Sequence, residues 1–245
     1  MNTMPLRNPL VSSVSAFFPC YNDAMSIGKM VRDVRESLVA SVSDFEIIVV
    51  NDGSSDNSLE VLQELQKEIT ELRIVNHEVN RGYGGALLSG IAASMKQWVF
   101  YTDGDAQYDA REISRCIDAV TESSDIIQGF KIGRGDPFHR RLIGRVYHHS
   151  VRLLFRLPVR DTDCDFRLMR KSILDKFRLQ STTGVICVEM MHAFNQVNAR
   201  FVEVGVSHYH RPHGKSQFFR VPAVSRSALQ LFQLWTRLML RRSYE

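Results

Sequence analysis

The segment Tyr101-Thr-Asp-Gly-Asp-Ala-Gln-Tyr-Asp109 places Asp103, Asp105 and Gln107 at alternate positions after an apolar run, so three oxygen-bearing side chains can converge on one point. Hard divalent cations such as Mg2+ or Mn2+ take oxygen ligands, keep several waters and are commonly shared with substrate phosphates. The competing interpretation is a solvated acidic turn in which Gly104 supplies a positive φ. A further acid, Asp52, lies in Val50-Asn-Asp-Gly-Ser-Ser-Asp56, and Asp23 closes Phe18-Pro-Cys-Tyr-Asn-Asp23. Carboxylates at the ends of neighbouring strands can accept hydrogen bonds from a base edge or a ribose hydroxyl. Otherwise Asp56 is a helix cap and Asn51-Asp52-Gly53 a turn. Arg81-Gly-Tyr-Gly-Gly-Ala86 lacks the last Gly of a dinucleotide fingerprint and the Lys-Ser/Thr of a P-loop, so its glycines read as sites of close backbone approach.

These residues need a scaffold, and the periodicity of the chain predicts one. Val11 to Phe18 and Phe45 to Val50 are short β-branched or aromatic runs, each followed by a helical pattern. In the first helix Ile27, Met30, Val31, Val34 and Leu38 share a face; in the second, after Asp56 or Ser58 as N-cap, Leu59, Leu62, Leu65 and Ile69 do. Strands are expected at 72–75, 98–102 and 125–128, with helices at 86–95 and 113–120 between them. This alternation predicts an α/β fold with a mostly parallel sheet flanked by helices, whose ligands bind beyond the carboxyl ends of the strands. From about Lys131 the chain becomes basic, with helical segments at 138–155 and 185–194, a strand at 165–169 and an alternating run at 201–208. Residues 223–240 read as a C-terminal amphipathic helix. Arg226, Gln230, Gln233, Arg237 and Arg241 lie on one face, with Leu231, Phe232, Trp235 and Leu238 among the residues opposite.

The motifs at 18–23, 50–56, 80–86 and 102–107, in that order, resemble the family 2 glycosyltransferases of GT-A fold. Within them the polyprenyl (dolichyl) phosphate sugar synthases are the most similar branch. The likeness continues through Asp161-Thr-Asp-Cys-Asp-Phe-Arg-Leu-Met169 and His210-Arg-Pro-His-Gly-Lys-Ser216, and spans roughly residues 11–220. It implies a single catalytic domain over residues 1–220. The nucleotide-sugar half would be about 11–130, the acceptor half about 131–220, and 221–245 a terminal helix. Pro19, Tyr21 and Asp23, the last standing where Glu is more usual, would line base and ribose with Asp52. Asp103, Asp105 and Gln107 would hold Mg2+ or Mn2+ on the diphosphate of a UDP- or GDP-sugar, and Arg211, Lys215 and Ser216 would clamp it. The resemblance makes Asp165 a donor-sugar ligand or catalytic base, with Asp163 and Glu189 as substitutes; an ion pair with Arg167 or Arg170 is the competing role.

Charge bears on the acceptor. Residues 1–125 carry 10 Lys/Arg against 19 Asp/Glu, whereas residues 126–245 carry 21 against 8. A hydroxyl acceptor must lose a proton and needs a base, while a lipid phosphate is already ionised near neutral pH and needs positioning. Lys131, Arg141 and Arg145, near where relatives bind the acceptor, therefore suit a polyprenyl phosphate, and the terminal helix suits a membrane surface. The rival acceptor is a hydroxyl of a cell-envelope glycan. No apolar run approaches the roughly 18 residues that cross a bilayer and the start lacks a signal-peptide pattern, so the expected place is cytoplasmic, peripheral at the inner membrane face. A homo-oligomer or a membrane protein partner is compatible with this, and a nucleic acid partner is not expected, because the basic residues are not interleaved with stacking aromatics. Cys20, Cys116, Cys164 and Cys187 have no metal-site spacing and are expected to be buried free thiols.

Overall fold

The computed structural model describes residues 7–132, 151–155, 157, 160–162, 164–211 and 229–240. Seven strands, β1 (Ser13–Cys20), β2 (Asp44–Asp52), β3 (Leu72–His77), β4 (Trp98–Thr102), β5 (Ile126–Ile132), β6 (Phe166–Arg170) and β7 (Phe201–Ser207), form one sheet in the order β3-β2-β1-β4-β6-β5-β7. β6 alone runs against the others, pairing antiparallel with β4 and β5. The first four strands are parallel neighbours, and the chain leaves β1 in one direction to β2 and β3 and in the other to β4. The crevice between the carboxyl ends of β1 and β4 is therefore a topological switch point, where open α/β sheets bind ligands.

The strands read as continuous apolar runs because both faces are covered. Ala16, Phe18, Ile47, Val49 and Phe100 face a cluster completed by α1 (Ala24–Val39), α2 (Ser58–Glu68) and α4 (Ile113–Asp118). Phe17, Ile48, Val50, Val99 and Tyr101 face the opposite cluster, which includes α3 (Gly82–Ala93) and α6 (Ile186–Gln196). A short helix α5 (Lys171–Leu174) follows β6. All five apolar residues expected on the inner face of α1 are buried. Asp56 contributes to the start of α2, its Oδ1 accepting from the Ser58 amide at 3.0 Å, although Asn57 stands at the cap position.

Two expectations are corrected. Helix α3 begins at Gly82, not at Ala86, inside the glycine run. A Cβ on Gly84 would lie 2.3 Å from the Ser181 carbonyl oxygen, so the glycines admit the first helical turn beneath the 181–183 segment. At the other end, residues 229–235 are α-helical and Thr236–Leu240 form a π-helical turn. Leu234 and Leu238 join the core, and Leu231 and Trp235 pack against it. Arg237, expected on an outward basic face, instead reaches the buried Glu189 at 2.5 Å, since a buried carboxylate requires a cationic partner. Of the expected helical segment 138–155, residues 151–155 are described and helical. Arg226 and Arg241 lie outside the described residues. No helix among the described residues is long and apolar enough to cross a membrane.

The amino end of the sheet is held by a polar knot. Glu46 is 5% exposed, accepts from the Ser15 hydroxyl at 2.7 Å and the Met95 amide at 2.8 Å, and pairs with Arg73 at 2.6 Å. Burial raises the pKa of Glu46, and these three donors more than offset it, leaving the carboxyl below its ordinary value. Glu46→Gln is expected to cost about 1–3 kcal/mol of stability near neutral pH. Because the folded pKa is depressed, the carboxylate's contribution is present above about pH 4.5 and lost as pH falls through the folded value. Urea unfolding of wild type and variant at pH 7 and about pH 3.5 checks this; an equal difference at both pH values contradicts it.

Candidate active site

The carboxyl ends of β1, β2 and β4 deliver the acids, and β6 delivers one more from the opposite direction. Thr102 pairs with Phe166, so the antiparallel register brings Asp165 beside Asp103. Asp105 is 8% exposed, and Asp165 is partly buried. The Tyr83 hydroxyl donates to Asp103 Oδ1 at 2.8 Å. Arg211 pairs with Asp23 at 2.7 Å and with Asp105 at 3.3 Å, and so closes the crevice from the side opposite β6. Burial, then repulsion from Asp165 and Asp105, pushes the Asp103 carboxyl well above its usual range. Burial likewise raises Asp105 and takes Asp23 to about 6, with Arg211 opposing the shift at each. Carboxylates crowded together and largely buried make an environment that favours a cation.

Local backbone geometry aims these side chains. Gly104 does not have the positive φ expected of it; Ala106 does, at 59°. Gly104 is needed for a different reason, because a Cβ there would sit 2.9 Å from the Pro19 carbonyl oxygen. The left-handed Ala106 lies between Asp105 and Gln107, and strain of this kind concentrates at functional sites. The Gln107 amide N–H donates to Asp105 Oδ1 at 3.1 Å, and its side-chain amide donates to the Tyr209 carbonyl at 3.3 Å. Among the described residues no three His, Cys, Asp or Glu side chains form a preassembled metal cage. Asp103 and Asp105, completed by waters and substrate oxygens, nevertheless make a donor set of the kind Mg2+ and Mn2+ accept.

The nucleotide-lining candidates divide. Pro19 is buried and Tyr21 is 40% exposed at the mouth of the crevice. Asp52 is 3% exposed, and its Oδ1 is engaged by His77 Nδ1 at 2.6 Å and by the Arg81 amide at 2.8 Å, so this acid joins β2, β3 and the start of α3. Lys131 ends in the half-buried part of β5, where its amide donates to Asp161 at 3.4 Å. Arg141, Arg145, Lys215, Ser216 and Asp163 lie outside the described residues. Glu189 is 1% exposed and paired with Arg237, so it does not share the crevice as a substitute for Asp165.

Several contacts were not anticipated from the sequence. Arg167 is fully buried under Asp165, its Nε donating to Gln128 at 2.6 Å, its Nη2 to the Thr162 carbonyl at 3.0 Å and its Nη1 to the Tyr101 hydroxyl. It also pairs with Asp165 at 3.5 Å, so the competing role considered for Asp165 is realised. Burial works against the guanidinium charge, and Tyr101, Cys187 and Asp165 more than restore it. Tyr101 and Cys187 both donate to Asp165 Oδ1, at 3.1 and 3.2 Å. A charged residue inside the apolar run Phe166-Arg-Leu-Met169 was the available signal, because an unpaired buried cation is prohibitively costly. Asn22, at φ 56°, was also passed over; its side chain accepts from the Ser55 amide at 2.8 Å and ties the loop after β1 to the loop after β2.

Comparisons with known proteins bear on the family and the fold. The undecaprenyl-phosphate 4-deoxy-4-formamido-L-arabinose transferase of Aeromonas hydrophila is 24% identical over 220 residues, covering 87% of this chain and 65% of that protein. The transferase of the same name from Pseudomonas aeruginosa is 27% identical over 210 residues, covering 85% and 61%. The chain thus spans less than two thirds of the length of these relatives. Among solved structures, glucosyl-3-phosphoglycerate synthase from Mycobacterium tuberculosis, in complex with Mn2+, UDP and glucosyl-3-phosphoglycerate, superposes with a TM-score of 0.67 at 20% identity, covering 92% of this chain and 80% of that one. A mannosyltransferase from Pyrobaculum calidifontis, in complex with GDP-mannose and Mn2+, gives 0.63 at 15% identity, covering 94% and 66%. The fold is GT-A, as the motif order implied. The profile of Glycosyl transferase family 2 matches residues 15–178, and the chain belongs to that family of glycosyltransferases.

Proposed function

We propose that this chain moves a sugar from a UDP- or GDP-sugar to a polyprenyl phosphate with inversion at the anomeric carbon, at the inner face of the membrane. The observation that carries the reading is the meeting of Asp103, Asp105 and Asp165 at the β1/β4 switch point, opposite Arg211. A nucleoside diphosphate leaving group accumulates negative charge as it departs, and a site for it must place cations there. Mg2+ or Mn2+, held by Asp103 and Asp105 with Gln107 adjacent, supplies Lewis-acid stabilisation of that diphosphate when bound. Arg211, Lys215 and Ser216 are assigned to clamp the diphosphate, Arg211 exchanging its carboxylate partners for phosphate oxygens. Pro19, Tyr21, Asp23 and Asp52 are assigned to the nucleoside.

In the displacement, an oxygen of the acceptor phosphate forms a bond to the anomeric carbon while the bond from that carbon to the donor's β-phosphate oxygen breaks. The electron pair leaves with the nucleoside diphosphate. The attacking phosphate is already ionised, so no general base is required. Asp165, whose described contacts engage Oδ1, is assigned to orient the donor sugar. Lys131, Arg141 and Arg145 are assigned to the acceptor phosphate. Names of the relatives support this acceptor, since they are undecaprenyl-phosphate sugar transferases.

Two measurements test the reading. In thermal-shift assays with Mn2+, UDP or GDP at about 100 times its dissociation constant should stabilise the protein by about 2.7 kcal/mol, or on the order of 5–10 °C. Asp105→Asn should remove the metal-dependent part of the shift; a shift that survives intact argues against Asp105 as a ligand. In transfer assays with polyprenyl phosphate, the labelled product should partition into organic solvent and be acid-labile, whereas a water-soluble glycoside excludes the lipid phosphate. Asp165→Asn should lower kcat by about 100-fold or more at saturating donor, and an unchanged kcat would remove the assigned role.

A further inference from the structure

The C-terminal helix reaches the candidate metal site through a chain of contacts that the proposed chemistry does not use. Glu189, in α6 and 1% exposed, accepts from the backbone amides of Gln180 at 3.1 Å and Ser181 at 2.8 Å, and from Arg237 Nη2 at 2.5 Å. Arg237 Nη1 also donates to the Gln180 side chain at 2.9 Å, so one guanidinium holds both the acid and the segment that acid binds. That segment lies on the first turn of α3. The Thr182 carbonyl accepts from the Gly85 amide at 3.3 Å, and Cβ atoms on Gly82 or Gly84 would lie 2.6 and 2.3 Å from the carbonyl oxygens of Thr182 and Ser181. Between those glycines stands Tyr83, whose hydroxyl donates to Asp103 at 2.8 Å. Contacts this close leave the turn little freedom while residues 180–183 are in place.

We infer that Arg237 and Glu189 are positioning residues for Asp103: they fasten residues 180–183 onto the first turn of α3 and thereby fix Tyr83 against the carboxylate. The inference rests on the reading of Asp103 as a ligand of the metal-bound diphosphate, but the coupling itself can be measured without any ligand. Hydrogen exchange of the full chain without nucleotide reads it at one amide, Gly85. Arg237→Gln should speed exchange at Gly85 by about tenfold, leave the β1 and β2 amides unchanged, and be partly reversed in Arg237→Lys. Calorimetric titration with Mn2+ and UDP, and separately with Mn2+ and GDP, should show binding weakened roughly 2- to 30-fold in Arg237→Gln.

Gly85 exchange equal to wild type in Arg237→Gln overturns the inference. Should Arg237→Gln accelerate exchange throughout the sheet, Gln180→Ala, which removes a single bond to Arg237, becomes the deciding variant: local acceleration at Gly85 supports the coupling and wild-type exchange there overturns it. Arg32→Gln, which breaks an exposed pair with Glu68 on the far helices, should leave Gly85 as in wild type. Absence of nucleotide binding by the wild-type protein would count against the donor reading alone, because the exchange result decides the coupling independently.

Discussion

Concentrating Asp23, Asp103, Asp105 and Asp165 in one partly dry crevice is the constraint on which the rest of the structure depends. Like charges at such spacing repel strongly when water is excluded, and the raised pKa values of Asp23, Asp103 and Asp105 express that repulsion together with burial. The fold answers with two guanidinium groups of different character. Arg167 is immobilised beneath the floor by Gln128, Thr162 and Tyr101. Arg211 instead pairs with two of the crevice carboxylates, Asp23 and Asp105. One is held among strand residues, and the other bridges the acids that follow β1 and β4.

Stability and chemistry occupy opposite ends of the same strands. The amino ends are joined by the Ser15–Glu46–Arg73 knot, in which every charge has a partner. The carboxyl ends carry the crowded acids Asp23, Asp103 and Asp105, whose pKa values burial raises despite their partners. Such a division allows the reactive end to be electrostatically unsettled while the sheet that carries it stays fixed. The Asp52–His77 contact lies between these regimes, since it is buried like the knot but sits at the reactive end, where it anchors the start of α3.

The sequence made the scaffold legible where a single period dominated. Trp98–Thr102 is a strand with the expected bounds, and the buried stripe of α1 is the expected one. The acids were legible too, because oxygen-bearing residues after apolar strands are rare and their spacing carries meaning. What stayed hidden were the contacts that arise only from long-range pairing. Arg167 and Tyr101 are 66 positions apart and meet because β4 and β6 are antiparallel neighbours, a direction that periodicity does not encode. Arg237 was assigned by helical geometry to an outward face; its inward partner Glu189 lies 48 residues away, and the π-helical turn at 236–240 alters the register on which that assignment relied.

The direction of β6 has a further consequence. Asp165 precedes a strand with ladders on both sides, to β4 and to β5. Since a slip of one residue would turn Arg167 out of its pocket and reverse every side chain of the strand, that register is locked from within the sheet. From the connection before β6, the Thr162 carbonyl accepts from Arg167 and so supports the same register. One antiparallel strand in an otherwise parallel sheet thus sets both the guanidinium of Arg167 and the carboxylate beside Asp103.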